Sequence, residues 1–92
     1  MYRVELTPRA QRELDDIGGS ELERISAAVQ ELGENPRPHG VRKLRGPIHR
    51  IRSGNWRIIY AVFDKDTLVL VGKIARRSEH TYDKVDELFR WR

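Results

Sequence analysis

The first six residues, MYRVEL, alternate: Tyr2, Val4 and Leu6 fall on one side and Arg3 and Glu5 on the other, the period-two pattern of a short strand. Thr7-Pro8 then reads as a helix start. A threonine hydroxyl can accept from the free N–H groups of a first turn, and proline at the first helical position loses nothing by lacking one. Ala10, Leu14 and Ile17 form the apolar stripe of that helix, which Gly18-Gly19 ends. Ser20 with Glu23 three residues on has the form of a capping box and predicts a second helix. Leu22, Ile25, Val29 and Leu32 are its stripe and Gly33 its close, so the two helices make an antiparallel hairpin.

Residues 34–40, ENPRPHG, are turn-rich, and two prolines forbid helix there. Beyond them the period changes to two. Strands are predicted over residues 41–44, ended by Gly46-Pro47, and over residues 48–52, with Ser53-Gly54-Asn55 as a tight hairpin connection. WRIIYAVF, residues 56–63, is apolar on both faces, as the centre of a sheet requires. After the DKDT turn, LVLVGKIA returns as a second central strand. From Ser78 onward Tyr82, Val85, Leu88 and Phe89 recover helical spacing, predicting a C-terminal helix towards Trp91. The order predicts one α+β domain spanning residues 1–92. An N-terminal strand and a helical hairpin pack on a mainly antiparallel sheet of about four strands, followed by a short C-terminal helix.

Charge changes this picture. Charged residues make up 35% of the chain, above the ~25% usual for soluble domains. The net +4 conceals a segregation. Residues 1–34 carry eight acids against four arginines, whereas residues 35–63 carry seven bases (Arg37, Arg42, Lys43, Arg45, Arg50, Arg52, Arg57) and no acid. Such a stretch fits either a phosphate-bearing partner or a plain solvated basic face. There is no cysteine, no apolar run near the ~20 residues of a membrane span and no signal-peptide core, which together predict a soluble cytoplasmic protein.

Spacing argues against the common catalytic sites. His39, His49 and His80 are scattered without paired carboxylates, and there is neither a glycine-rich phosphate loop nor a G-x-S-x-G motif, so no metal and no cofactor is expected. The basic set remains. Arg50 and Arg52 lie two apart and share one face of a strand, Arg57 sits near the start of the next strand, and Arg76-Arg77 end the strand after that. Guanidinium forks on these positions could grip phosphate oxygens or stabilise a phosphoryl transition state. Spacing alone also allows ordinary solvent-facing roles for these arginines. It favours core positions for Trp56 and Tyr82, and structural or surface roles for His49 and His80.

The stretch RKLRGPIHRIRSGNWRIIYAVFDKDTLVLVGKIARRSEHTY resembles the RelE/ParE superfamily of toxins from type II toxin–antitoxin modules. The similarity rests on Lys43-Leu44-Arg45-Gly46, Arg50-Ile51-Arg52, the run from Gly54 to Tyr60, the pair Arg76-Arg77, and Tyr82. The resemblance implies a ribosome-dependent mRNA endoribonuclease of the RelE type, working without a metal, held in check by a cognate antitoxin and acting on the ribosome and its message. Arg57 and Arg77 would stabilise transition-state charge, Arg50 and Arg52 would hold the backbone or assist proton transfer, and Tyr82 would orient the 2′-hydroxyl or stack on the message. Lys43, Arg45, His49 and Arg76 would bind RNA. Arg76 and Arg77 fit the family's basic position in either of two registers. RelE enzymes carry lysines where this chain has Arg50 and Arg52; arginine stays protonated and is a poor general base, so His49 and His80 are candidates for a proton role, spacing secures neither, and the resemblance leaves the general base open. The same family resemblance admits a ParE-like inhibitor of DNA gyrase, or an inactive toxin homologue acting as a binding module.

Overall fold

Thr7 decides where the first strand becomes a helix. In the computed structural model, which describes residues 1–78, 82 and 84–89, β1 runs Arg3–Leu6 and α1 Pro8–Asp15. The buried Thr7 keeps an extended backbone and accepts the Ala10 N–H at 3.2 Å, with Pro8 in the first turn. The second helix, α2, starts earlier than the Ser20–Glu23 pattern predicts. It spans Gly19–Glu34, Gly18 caps it without a side-chain hydrogen bond, and Gly19 enters at φ +63°. That left-handed conformation reverses the chain between Ile17 and Ile25, so Ser20 already lies inside the helix and no capping box forms. Nor does Gly33 close α2. It lies where β1 crosses: the Tyr2 N–H donates to its carbonyl at 2.7 Å, and a Cβ there would stand 3.0 Å from the Tyr2 oxygen.

Strands β2 (Arg42–Arg45), β3 (Ile48–Ser53), β4 (Trp56–Phe63) and β5 (Leu68–Arg76) follow in a meander. They form one sheet in the order β1-β5-β4-β3-β2, with β1 parallel to β5 and every other pair antiparallel. The N-terminal strand is therefore a fifth, edge strand of the same sheet, and the α+β class stands.

The two helices cover one face. Ala10, Ile17, Ile25, Val29 and Leu32 pack on Ile51, Ile58, Tyr60, Val62, Val69, Val71 and Ile74, which alternation sends to that side. On the other face Ile48, Ile59, Ala61 and Leu70 are buried too, and the C-terminal segment packs against it. Instead of the expected α-helix this segment forms a 3₁₀ turn, Val85–Phe89, and Trp91 lies outside the described residues. Leu88 and Phe89 rest on Gly72, where a Cβ would meet the Phe89 ring at 2.7 Å, and Arg45 pairs with Asp86 at 3.0 Å.

Two irregularities interrupt the ladders. Between β4 and β5 the register slips by one around Gly72: Tyr60 pairs with Val71 but Ile59 with Lys73. Glu13 on α1 accepts the Ile74 N–H just past this bulge, at 2.9 Å. Between β2 and β3 the register slips at Leu44, so Arg45 pairs with Ile48 but Lys43 with His49 and Arg42 with Arg50.

Candidate nucleic-acid interface

Residues directly opposite in an antiparallel ladder share a face, as do residues two apart in one strand. Arg50 and Arg52 thus point to the side away from the helices, and Arg57, opposite Arg52, joins them. Arg42, opposite Arg50, extends the group, and Lys73, opposite Ile59 in the same row, shares its face. Two like-charged cross-strand pairs, Arg42–Arg50 and Arg52–Arg57, lie side by side on one surface. This surface is not uniformly wet: Arg50 is 5% exposed and Arg57 7%, whereas Arg42 and Arg52 are exposed.

Counter-charge is missing where it is most needed. Arg37, Arg45 and Arg76 have the carboxylates of Asp64, Asp86 and Glu21, but Arg42, Arg50, Arg52 and Arg57 have none among the described residues. Arg57 Nη1 donates to the carbonyls of Trp56 (3.1 Å) and Gly54 (3.4 Å), while the buried Nε of both Arg50 and Arg57 meets no acceptor. Burial holds the Arg50 guanidinium below its ordinary pKa, and Arg52, Arg42 and Arg57 push the same way against the opposing influence of Tyr82. Tyr82 is 38% exposed, so it is a surface group rather than the core tyrosine that helical spacing suggests.

The Gly72 bulge separates Arg76 from Arg77. With an unbroken register Arg76 would stand opposite Asn55, on the Arg57 side; the extra residue sets it opposite Trp56 instead. There its guanidinium lies 4.9 Å from the Trp56 ring centroid and 3.4 Å from Glu21, whose other oxygen accepts the Trp56 indole N–H at 2.9 Å. Arg76 therefore faces the helices and not the cluster. The Arg77 N–H donates to the Asn55 carbonyl at 3.0 Å, prolonging the ladder by one residue, and alternation returns position 77 to the Arg57 side.

The expected RNA-binding set fares differently from the arginines of the cluster. His49 is one residue out of phase with Arg50, so it faces the helices. It is 5% exposed, stacked on Tyr60 at 5.7 Å, and its Nδ1 lies 2.7 Å from the Pro47 carbonyl; burial lowers its pKa. Lys43 pairs with His49 and shares its side, because the slip at Leu44 replaces it with Arg42 opposite Arg50. Arg45 is exposed but neutralised by Asp86. His80 lies outside the described residues. Among those residues no three His, Asp or Glu side chains converge as metal ligands would, and no helix is long and apolar enough to cross a membrane. The residue missed from sequence is Arg42.

A row of partly desolvated guanidinium groups with no carboxylate among the described residues is suited to an oxyanion, since a buried cation is costly until paired. Known proteins agree on the lineage. Residues 4–81 match the family model of the ParE toxin of the type II toxin–antitoxin system parDE. The toxin homologue RelE1 of Methanocaldococcus jannaschii is 30% identical over 81 residues, covering 83% of this chain and 90% of that protein. RelE in the archaeal RelE–RelB complex of Pyrococcus horikoshii superposes with a TM-score of 0.76 at 27% identity, over 85% of this chain and 97% of its own. The isolated Escherichia coli RelE toxin gives 0.72 at 26% identity, over 97% and 100%. On these matches the chain belongs to the RelE/ParE superfamily of toxins of type II toxin–antitoxin systems.

Proposed function

We propose that the protein is a ribosome-dependent endoribonuclease that cuts mRNA in the cytoplasm without a metal ion. The ribose 2′-oxygen would attack the adjacent phosphorus as its proton departs, and the 5′-oxygen would leave with a proton, giving a 2′,3′-cyclic phosphate and a 5′-hydroxyl. The observation that carries this reading is the buried pair Arg50 and Arg57, which lacks any carboxylate among the described residues. A cation left unneutralised in the free protein is at full strength for the charge that builds on phosphoryl oxygens in the transition state. In this scheme Arg57 and Arg77 stabilise that charge, Arg50 and Arg52 hold the backbone, and Tyr82 orients the 2′-hydroxyl or stacks on a base. His49 is not the proton carrier, because it sits behind the sheet with Nδ1 engaged by Pro47. Arg50 stays cationic at neutral pH, its lowered pKa notwithstanding.

A cognate antitoxin follows from the same lineage, since the archaeal relative was solved with RelB. An acidic segment would supply the carboxylates that the basic face lacks. Because β2 ends at Arg42, residues 51–53 of β3 have no strand partner on that edge among the described residues, and a cleft of about 680 Å³ opens there between β3, α2 and residues 38–40, over Leu32 and Ile51. An extended chain could lie in it.

The test is cleavage on purified, programmed ribosomes mapped by primer extension, with antitoxin-free protein and free RNA as control. Cuts should require the ribosome and fall by about 10²-fold or more in Arg57→Ala and Arg77→Ala. No cutting by folded protein would refute the reading. The match to a ParE model favours a second one, gyrase inhibition without RNA cleavage, which expects broken DNA and stalled replication before translation falls.

A further inference from the structure

We propose that the face of the sheet away from the helices holds two consecutive phosphates of a single-stranded RNA, one between Arg52 and Arg57 and the next between Arg42 and Arg50. This inference rests on the nuclease reading and adds a second subsite, with Arg42 as its outer wall.

Like charges directly opposite each other in a ladder destabilise it. This chain places two such pairs in adjacent rows, Arg52–Arg57 and Arg42–Arg50, and gives neither a carboxylate among the described residues. One anion between each pair removes the repulsion in both. The rows are two residues apart on β3, a separation of ~6.8 Å, which is the order of the distance between successive phosphates in an extended strand. In each pair one guanidinium is buried and the other exposed: Arg57 with Arg52, and Arg50 with Arg42. Every phosphate would therefore meet one rigid, desolvated fork and one fork able to close over it from solvent.

The track stops after two rows. The next row along the ladder is Ile48 opposite Ala61 opposite Leu70, entirely apolar, and Leu88 and Phe89 cover this end of the face at Gly72. Arg45, the cation beside Ile48, is already paired with Asp86. In the other direction β3 and β4 end in the Gly54-Asn55 turn, and Arg77, opposite Asn55 on this face, joins the Arg52–Arg57 row from β5. The slip at Leu44 is what builds the second row: without it Lys43 would oppose Arg50 and Arg42 would face the helices.

Binding of 2′-O-methyl oligonucleotides, which cannot be cleaved, tests this by calorimetry at low salt. Dimers, trimers and tetramers without terminal phosphates carry one, two and three phosphates. The trimer should bind the wild type about tenfold more tightly than the dimer, and the tetramer should add no comparable gain. In Arg42→Ala the trimer-to-dimer ratio should fall towards unity, and the slope of log K against log salt for the trimer should shrink by about 0.7. Arg42→Lys should retain most of the ratio, and Lys43→Ala, on the other side of β2, all of it. An undiminished ratio in Arg42→Ala, an equal gain from the third phosphate, or no trimer gain in the wild type would each overturn the inference. The ribosome assay separates the two failures: wild type that cleaves mRNA while its ratio is insensitive to Arg42 refutes only the second subsite, whereas wild type that never cleaves refutes the nuclease reading.

Discussion

Replacing Arg50 by methionine should make the free protein more stable while removing activity. Arg50 is 5% exposed, its Nε meets no acceptor, and Arg42 stands opposite it with Arg52 and Arg57 close enough to act on its charge. A buried donor left unsatisfied costs about 1–3 kcal/mol, and a like-charge cross-strand pair adds up to about 1 kcal/mol. Methionine keeps the unbranched apolar stem but fills less space, which returns about 1 kcal/mol. The balance is a gain of up to about 3 kcal/mol, in the direction seen when buried charges give way to apolar groups. For a chain of this length each kcal/mol moves the melting temperature by about 4–8 °C. Arg57→Met should gain less, because its Nη1 already serves the Trp56 and Gly54 carbonyls, and exposed Arg52→Met should stay within about 0.5 kcal/mol of wild type. Urea unfolding of antitoxin-free protein in a buffer without multivalent anions measures all three. Added inorganic phosphate should then raise wild-type stability more than that of Arg50→Met, because only the folded wild type offers the full site. A loss of about 1 kcal/mol or more in Arg50→Met, in the phosphate-free buffer, would mean that the chain already neutralises this guanidinium and would refute the reasoning.

Two further outcomes rest on single groups. Burial holds His49 below its ordinary pKa of 6.5, so the unfolded chain takes up this proton first; its contribution to stability should be complete above about pH 6.5 and drain as pH falls towards the lower folded value. Urea midpoints from about pH 7.5 to about pH 5 should show this decline in wild type and a weaker one in His49→Gln, and a flat wild-type profile would contradict it. Gly72→Ala puts a methyl group 2.7 Å from the Phe89 ring and 3.1 Å from Leu88 Cβ, so the C-terminal turn should lift while the ladder persists. Amide exchange in residues 85–89 should quicken by about tenfold or more with β4 unaffected, and unchanged exchange there would contradict the packing.

Local signals carried most of the fold. Thr7-Pro8, the stripe of α2 and the doubly apolar WRIIYAVF each act within one element, and each appears where periodicity predicts it. Ser20–Glu23 failed because Gly19 at φ +63° offered the chain an earlier reversal. The candidate site divides the same way. Arg50, Arg52 and Arg57 were legible because alternation within a hairpin is local. Which member of Arg76-Arg77 and which of Arg42-Lys43 joins them was not, because each choice turns on a one-residue slip between strands. Gly72 inside a strand was the available hint of the first slip; Leu44 gives no such hint of the second. His49 was decidable from sequence, since its place next to Arg50 already sends it to the opposite face.

The two faces of the sheet explain why the charge is segregated along the chain. The acids of residues 1–34 fall largely on the hairpin that covers one face, and the acid-free stretch supplies strands whose other face carries the arginines. Leu88 and Phe89 cover the apolar end of that second face, so burial there costs nothing in counter-charge. The arginine end is covered by no carboxylate among the described residues, and a nearby acid would have been the simplest way to stabilise it. Had Arg50 and Arg57 been paired internally, an incoming phosphate would have had to displace a carboxylate before gaining either fork. Among the described residues no carboxylate pairs with them, and a buried cation without a counter-charge lowers the stability of a free protein. An RNA backbone and an acidic antitoxin segment would then compete for one unmet electrostatic demand.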